Sequence, residues 1–380
     1  MCKNYKNTVL KINIILILVL FGLVVQYPLF ELYGTYVGTF DVASISILVL
    51  FIQTMSVKYS KVMKIVVLIV LSGFFSIIMN LETLNSIPKA VFYAIRILEY
   101  SLWFYVGLRA NIGLVKLLIL IIFVKSVVSF YAGVYATPLD YLFFKYDHDI
   151  VATFLILSLY YLKNNNNGAM FLSLIASSLM STRSAYFGIF YIIYYFIQRN
   201  TGAIVKNIPV ISVFLIIIIA TSMNEVLIDR LMLIFNYDNI TAITLAYQES
   251  IQATSYHDFV YEDRNLFTEH GDLSFQLRLR KWMYYIGQLS ENPMHIFYGF
   301  GVSAFGGAAD SSLIRIFLEG GLIMFYFYWA LVKQLVKYCY SGKEYVYLMI
   351  ALSLMLDISF SSSVMPLAFF LIGTSRVCKK

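Results

Sequence analysis

Charge is scarce in this sequence: 13% of its 380 residues are Asp, Glu, Lys or Arg, against 60% hydrophobic. With a mean hydropathy of +0.78, the chain lacks the polar surface to cover a water-soluble globule, and lipid is its expected solvent. Strict alternation of apolar and polar residues is missing too, which excludes a membrane β-barrel and leaves helices. Cysteine is rare. Cys2, Cys339 and Cys378 fall in or beside segments expected to face the cytoplasm, so neither a disulfide framework nor a thiolate metal cluster is expected. The four histidines, among them His257, His270 and His295, show no metal-ligand spacing, and no metal or other cofactor is expected. No fixed-period repeat is visible, and the only low-complexity tract is Asn164 to Asn167. The net charge of +7 is not gathered into a basic patch interleaved with aromatics, so nucleic acid is not an expected partner.

What the sequence has in quantity is long apolar runs. They extend over Ile12–Phe30, Val42–Val57, Ile65–Asn80, Ala90–Leu108, Gly113–Val134, Asp149–Leu162, Gly168–Met180, Ala185–Ile197, Ile208–Met223, Ser311–Val332, Tyr345–Leu356 and Met365–Thr374. The fold class expected is therefore all-α: a polytopic transmembrane bundle of about 12 spans, with residues 1–224 forming the first nine and 311–380 the last three. The first run has no small-residue cleavage site after it and reads as a retained signal anchor. Lys and Arg concentrate in alternate inter-span segments: Lys58, Lys61 and Lys64; Arg109 and Lys116; Lys163; Arg199 and Lys206; Lys333, Lys337 and Lys343. Acids occupy the others, which predicts cytoplasmic termini. The one long polar segment, residues 225–310, is then an extracytoplasmic loop. It is too rich in Tyr, Phe and Leu for disorder, and short helices at the membrane mouth are expected.

The residues from Arg278 onward combine Arg278 with Trp282 four positions later, Asn292-Pro293, the Gly299-x-Gly301 turn, the dyad Asp310-Ser311, and a span interrupted at Gly320-Gly321. In this pattern the chain resembles the bacterial O-antigen polymerase and ligase superfamily, specifically the polymerases that join lipid-linked repeat units of O-antigen or capsule. The ligase branch carries His where this chain has Asp310, which favours the polymerase. The resemblance implies a metal-independent, inverting glycosyltransferase in the cytoplasmic (inner) membrane. Its substrates would be undecaprenyl-diphosphate-linked repeat units, and its partners membrane lipid, a flippase and a chain-length regulator. The alternatives are an O-antigen ligase and a flippase for the lipid-linked unit; the lack of repeats and the large external loop weigh against a transporter.

Such an enzyme must grip a diphosphate, for which the planar, permanently charged guanidinium is suited. Arg183, in the turn Ser181-Thr182-Arg183-Ser184, falls on the outer side against the positive-inside bias, and reads either as a diphosphate ligand or as half of a local ion pair. Arg278 carries the motif, with assigned roles in catalysis and diphosphate binding, and Arg280 is placed to share the latter. Asp310 reads as a general base toward an acceptor hydroxyl or as the cap of the following helix. Arg315 reads as a diphosphate ligand or as the i, i+4 partner of Glu319. Arg96 and Glu99 read as a second buried pair, and Lys125 stands by itself in its span. Tyr256, Phe259, Tyr261, Trp282, Tyr284 and Tyr285 offer faces for sugars or a core for the loop.

Overall fold

The computed structural model describes residues 9–19, 30–32, 35–37, 39–54, 60–135, 147–179, 183–199, 237–253, 256, 259–260, 273–304, 311–339, 342–359, 361 and 364–375. They are helical apart from turns and one antiparallel hairpin, β1 (Phe30–Leu32) paired with β2 (Thr35–Val37), in which Glu31 faces Tyr36. The N-terminal helices are α1 (Val9–Val19), α2 (Thr39–Thr54), α3 (Ser60–Met79), α4 (Ile87–Arg96) and α5 (Leu98–Gly107). They are followed by α6 (Ile112–Tyr135), α7 (Asp147–Lys163), α8 (Asn167–Leu179) and α9 (Arg183–Arg199). The late segment contributes α10 (Tyr237–Gln252), α11 (Leu273–Glu291) and the single turn α12 (His295–Tyr298). The chain then forms α13 (Ser312–Tyr338), α14 (Lys343–Met355) and α15 (Val364–Thr374). The fold is all-α in this sense, and the hairpin after the first apolar run is an element that the hydropathy pattern does not reveal.

Two of the described helical stretches, Lys61–Met79 and Ser312–Lys337, are long and apolar enough to cross a bilayer, and Val9–Val19 and Val364–Thr374 are shorter apolar helices. The expected span Ile208–Met223 lies outside the described residues. Two boundaries differ from expectation. The run Ala90–Leu108 is not one helix but two, α4 and α5, kinked at Ile97, which itself keeps right-handed helical angles (φ −59°, ψ −27°). The start of α4 has a clear cause: Pro88 stands in its first turn and the Ser86 hydroxyl accepts a hydrogen bond from Lys89 N at 3.4 Å. The run ending at Val332 continues as α13 to Tyr338.

The core is centred on α5 and α15, which pack against each other. Tyr100 stacks on Phe369 (4.9 Å between centroids), Trp103 meets Phe370 edge-on (6.2 Å), and all four rings are buried. Around them α3 packs on α13, α7 on α8 and α9, and α14 on α9. Apolar side chains are not confined to this core. Leu71, Phe75 and Ile78 on α3, Leu120 and Val124 on α6, and Phe187, Phe190 and Tyr194 on α9 are all well exposed, as in helices that are apolar on every side.

The late segment packs on itself and on the bundle. Helices α10 (16 residues) and α11 (19 residues) pack together and are longer than the short helices expected there. Tyr256, Trp282, Tyr284, Tyr285 and Phe300 pack with Phe317 and Leu318 of α13. The aromatic wealth of the loop therefore serves first as the seam that holds it to the helix bundle, each ring burying a large apolar area.

Candidate functional site: buried arginines at a broken helix

Helix α13 is interrupted at Gly321, whose φ of +67° and ψ of −173° are non-helical. An interruption releases carbonyl oxygens from the helical ladder, and inside a bundle each needs another donor. The Gly299-x-Gly301 segment supplies them: Phe300 N donates to Leu318 O at 2.8 Å and Gly301 N to Glu319 O at 3.1 Å. From α3, the Ser76 hydroxyl donates to Glu319 O (2.6 Å) and the Asn80 amide to Gly299 O (3.1 Å). Glycine is required at both contact points. Gly299 (φ +75°) would place a Cβ 2.4 Å from the Glu319 carbonyl, and Gly321 would place one 2.2 Å from the Phe297 carbonyl. The Gly-x-Gly turn and the Gly-Gly break are thus two halves of one joint.

This joint sets the position of Arg315 and Glu319, both on α13 before the break. Arg315 donates from Nε to Glu319 Oε1 at 3.1 Å, the spacing expected from sequence, and also from a terminal nitrogen to Asp357 Oδ2 at 2.5 Å. Both carboxylates and the guanidinium are 4% exposed or less. Asp357 lies in the stretch between α14 and α15. Its neighbour Ser359 donates a hydroxyl hydrogen bond to Asp357 Oδ1 and accepts one at its carbonyl from the Tyr100 hydroxyl. Asp149 at the start of α7 hydrogen-bonds with Ser361 and lies near Asp357.

A second cluster adjoins the first. Arg96 grips Asp41 with two nitrogens, at 2.8 and 3.1 Å, and both side chains are 5% exposed. The expected Arg96–Glu99 pairing is corrected here. The first partner of Arg96 is Asp41 on α2, and Glu99 lies beside the Asp41 carboxyl. The Tyr93 ring connects the clusters, its centroid 5.9 Å from the Arg96 guanidinium carbon and 5.4 Å from that of Arg315. Two buried guanidiniums therefore flank one aromatic ring and are held by carboxylates from α2, α13 and the α14–α15 connection. Lys125 is buried on α6, and no group of His, Cys, Asp and Glu able to hold a metal occurs among the described residues.

The other site residues expected from sequence fall as follows. Arg183 is the first residue of α9, a helix whose far end, Arg199, donates to the carbonyls of Leu162 and Lys163 at the end of α7. Arg183 thus stands at the same end of the bundle as Asp149. Arg278 lies in α11, one turn before Trp282; the side chains of Arg183 and Arg278, and all of Asp310, lie outside the described residues. Arg280 is buried in the loop, where Nε donates to Phe259 O at 2.7 Å, the guanidinium stacks on the Phe259 ring at 4.3 Å, and Glu249 lies 3.4 Å away. The N-cap of α13 is Ser311, whose hydroxyl accepts from Ile314 N. Ser311 and Ser312 further tie this helix start to the carbonyls of Ser353 and Leu356.

His295 stacks on Phe300 (4.3 Å) against the joint, and its burial there lowers the imidazole pKa below the usual histidine value. Asp41, Tyr93, Asp149 and Asp357 are members of this site that motif reading misses. For the three aspartates the available signal was their type: acids at the ends of apolar runs, where an ionisable group is expensive without a partner. No protein-family model matches the chain, and no curated protein matches it.

Proposed function

We propose that the chain is a polytopic protein of about 12 spans in the cytoplasmic (inner) membrane, with both termini cytoplasmic. In this reading it is a polymerase that joins polyprenyl-diphosphate-linked oligosaccharide repeat units into O-antigen or capsular polysaccharide at the outer face. The observation that carries it is the joint. The Gly299–Gly301 turn is hydrogen-bonded to the Leu318 and Glu319 carbonyls of the broken helix, so the Gly-x-Gly and Gly-Gly elements of the resemblance meet at one place, beside the buried Arg315. Long loops held rigidly to a scaffold commonly carry function.

In the reaction, an acceptor sugar hydroxyl of one lipid-linked unit attacks the anomeric carbon of the growing glycan, and the polyprenyl diphosphate departs with the bond electrons. The hydroxyl proton goes to a carboxylate, the role given to Asp310. Arg183, at the N-terminus of α9 where peptide N–H groups also point outward, and Arg278 on α11 stabilise the charge that develops on the diphosphate. Arg280, occupied with Phe259 and Glu249, holds the loop in place. Arg315 is engaged by Asp357 and Glu319, so its first role is to fix the floor of the site. Catalysis is then chiefly positioning and charge stabilisation, and no metal or cofactor enters the scheme.

The test is a gene deletion combined with reconstitution. Single repeat units retained on the lipid anchor after deletion support the polymerase; loss of all glycan from the anchor identifies a ligase, and lipid-linked units trapped on the cytoplasmic side a flippase. With purified protein and lipid-linked units, Arg183→Ala, Arg278→Ala and Asp310→Asn are expected to lose on the order of 10²-fold or more in rate. Normal polymerisation by all three folded variants would refute the site.

A further inference from the structure

At the end of the bundle remote from Arg315, the α5–α6 turn meets the last turns of α7 and α15 and the first turn of α14. A cavity of about 230 Å³ opens between them. Its polar lining is Lys116, Tyr160, Lys163, Asn164, Tyr345, Thr374 and Ser375, and no carboxylate lines it among the described residues. Lys163 is fixed in the wall: its ammonium lies 2.7 Å from Glu344 Oε2 and 5.1 Å from the Tyr345 ring centroid. Lys116, one turn into α6, is exposed at the rim. The cavity thus presents two ammonium groups, one of them partly neutralised, together with the Tyr160 and Tyr345 side chains; the Thr374 and Ser375 hydroxyls donate to Leu371 O, and the Asn164 amide gives one hydrogen bond to Tyr160 O. The two ammonium groups suit an anionic oxygen ligand.

An apolar track leads away from that rim. Leu117, Leu120, Val124 and Val127 on α6 are each at least 40% exposed, and their spacing places them on one stripe. A basic cavity that continues into an exposed apolar stripe matches an amphiphile with an anionic head, whereas a soluble anion would have no use for the stripe. We infer that this cavity binds the phosphate headgroup of an anionic phospholipid of the inner leaflet, with acyl chain lying along α6. This rests on the bilayer orientation in the proposed function, not on its glycan chemistry.

The experiment uses the full chain in phosphatidylcholine nanodiscs doped with phosphatidylglycerol, with bound lipid counted by native mass spectrometry and melting followed in parallel. The wild type is expected to retain phosphatidylglycerol over phosphatidylcholine, and Lys116→Gln to weaken that retention about fivefold with unchanged melting. Lys163→Gln leaves Glu344 without its lysine and can disturb the fold, so Lys116→Gln is the deciding variant and Lys163→Gln is read only in combination with Glu344→Gln. Equal retention of the two lipids, or retention unaffected by Lys116→Gln, would overturn the inference. Displacement of the lipid by millimolar inorganic phosphate would also overturn it, by assigning the cavity to a soluble anion. A wild type that retains phosphatidylglycerol but polymerises no repeat units would leave this site standing and remove only the enzymatic reading.

Discussion

The two ends of the helix bundle handle charge in opposite ways. At the end containing the broken helix, Arg96 and Arg315 are buried, and Asp41, Glu99, Glu319 and Asp357 are gathered around them. At the other end Lys116, Lys333 and Lys337 are exposed, and the Lys163–Glu344 pair is partly open to its surroundings. Burial makes the difference. A guanidinium removed from solvent loses hydration worth several kcal/mol and must be compensated by excellent geometry, whereas an exposed ammonium keeps its hydration and needs no partner. The first end is therefore a built structure that a single substitution can collapse. The second is more open, and its exposed lysines depend less on single partners than the buried arginines do.

The largest expected effect is at the buried end. Asp357→Ala removes one of the two carboxylates that hold Arg315 and is expected to lower stability by about 3–5 kcal/mol in thermal or denaturant unfolding of the purified protein. Asp41→Ala should act similarly through Arg96. If either proved as mild as a surface change, the contrast between the ends would fail. Next is the joint: Gly321→Ala forces a side chain onto the Phe297 carbonyl at a positive φ, with an expected loss of about 1–3 kcal/mol. Hydrogen exchange should show that loss localised to α11–α13, with the α5–α15 core still protected.

At the more open end, a double-mutant cycle on Lys163 and Glu344, which are 18% and 11% exposed, is expected to give a coupling of about 1 kcal/mol. The smallest effect is a pH dependence. His295 has a lowered pKa in the folded chain, so the unfolded state takes up its proton first as pH falls. The contribution of His295 is then complete above the ordinary histidine pKa of ~6.5 and declines as pH drops below it. Melting temperature should accordingly fall between pH 7.5 and 5 by slightly more in the native protein than in His295→Gln.

Local spacing made part of this legible in sequence. The Arg315–Glu319 pair follows from i, i+4 geometry, and the helical class follows from composition. The break at Gly320-Gly321 was visible as a glycine pair within an apolar run. What sequence could not reveal was long-range partnering. Arg96 takes Asp41, 55 residues away, in preference to Glu99, and Arg315 adds Asp357, 42 residues away; no periodicity encodes such contacts. The same applies to the helix start, where Ser311 is the cap because its hydroxyl reaches Ile314 N. It applies again to the loop aromatics, whose choice between sugar face and packing seam depends on where Leu318 comes to lie.

The most direct measurement is the labelling of single-cysteine variants in sealed vesicles with a membrane-impermeant thiol reagent, on a background in which Cys2, Cys339 and Cys378 are replaced by serine. Arg183→Cys and Arg278→Cys should react from the periplasmic side, and Lys116→Cys only after permeabilisation. Reaction of the Arg183 and Arg278 positions from opposite faces would contradict a shared outer site for the lipid diphosphate.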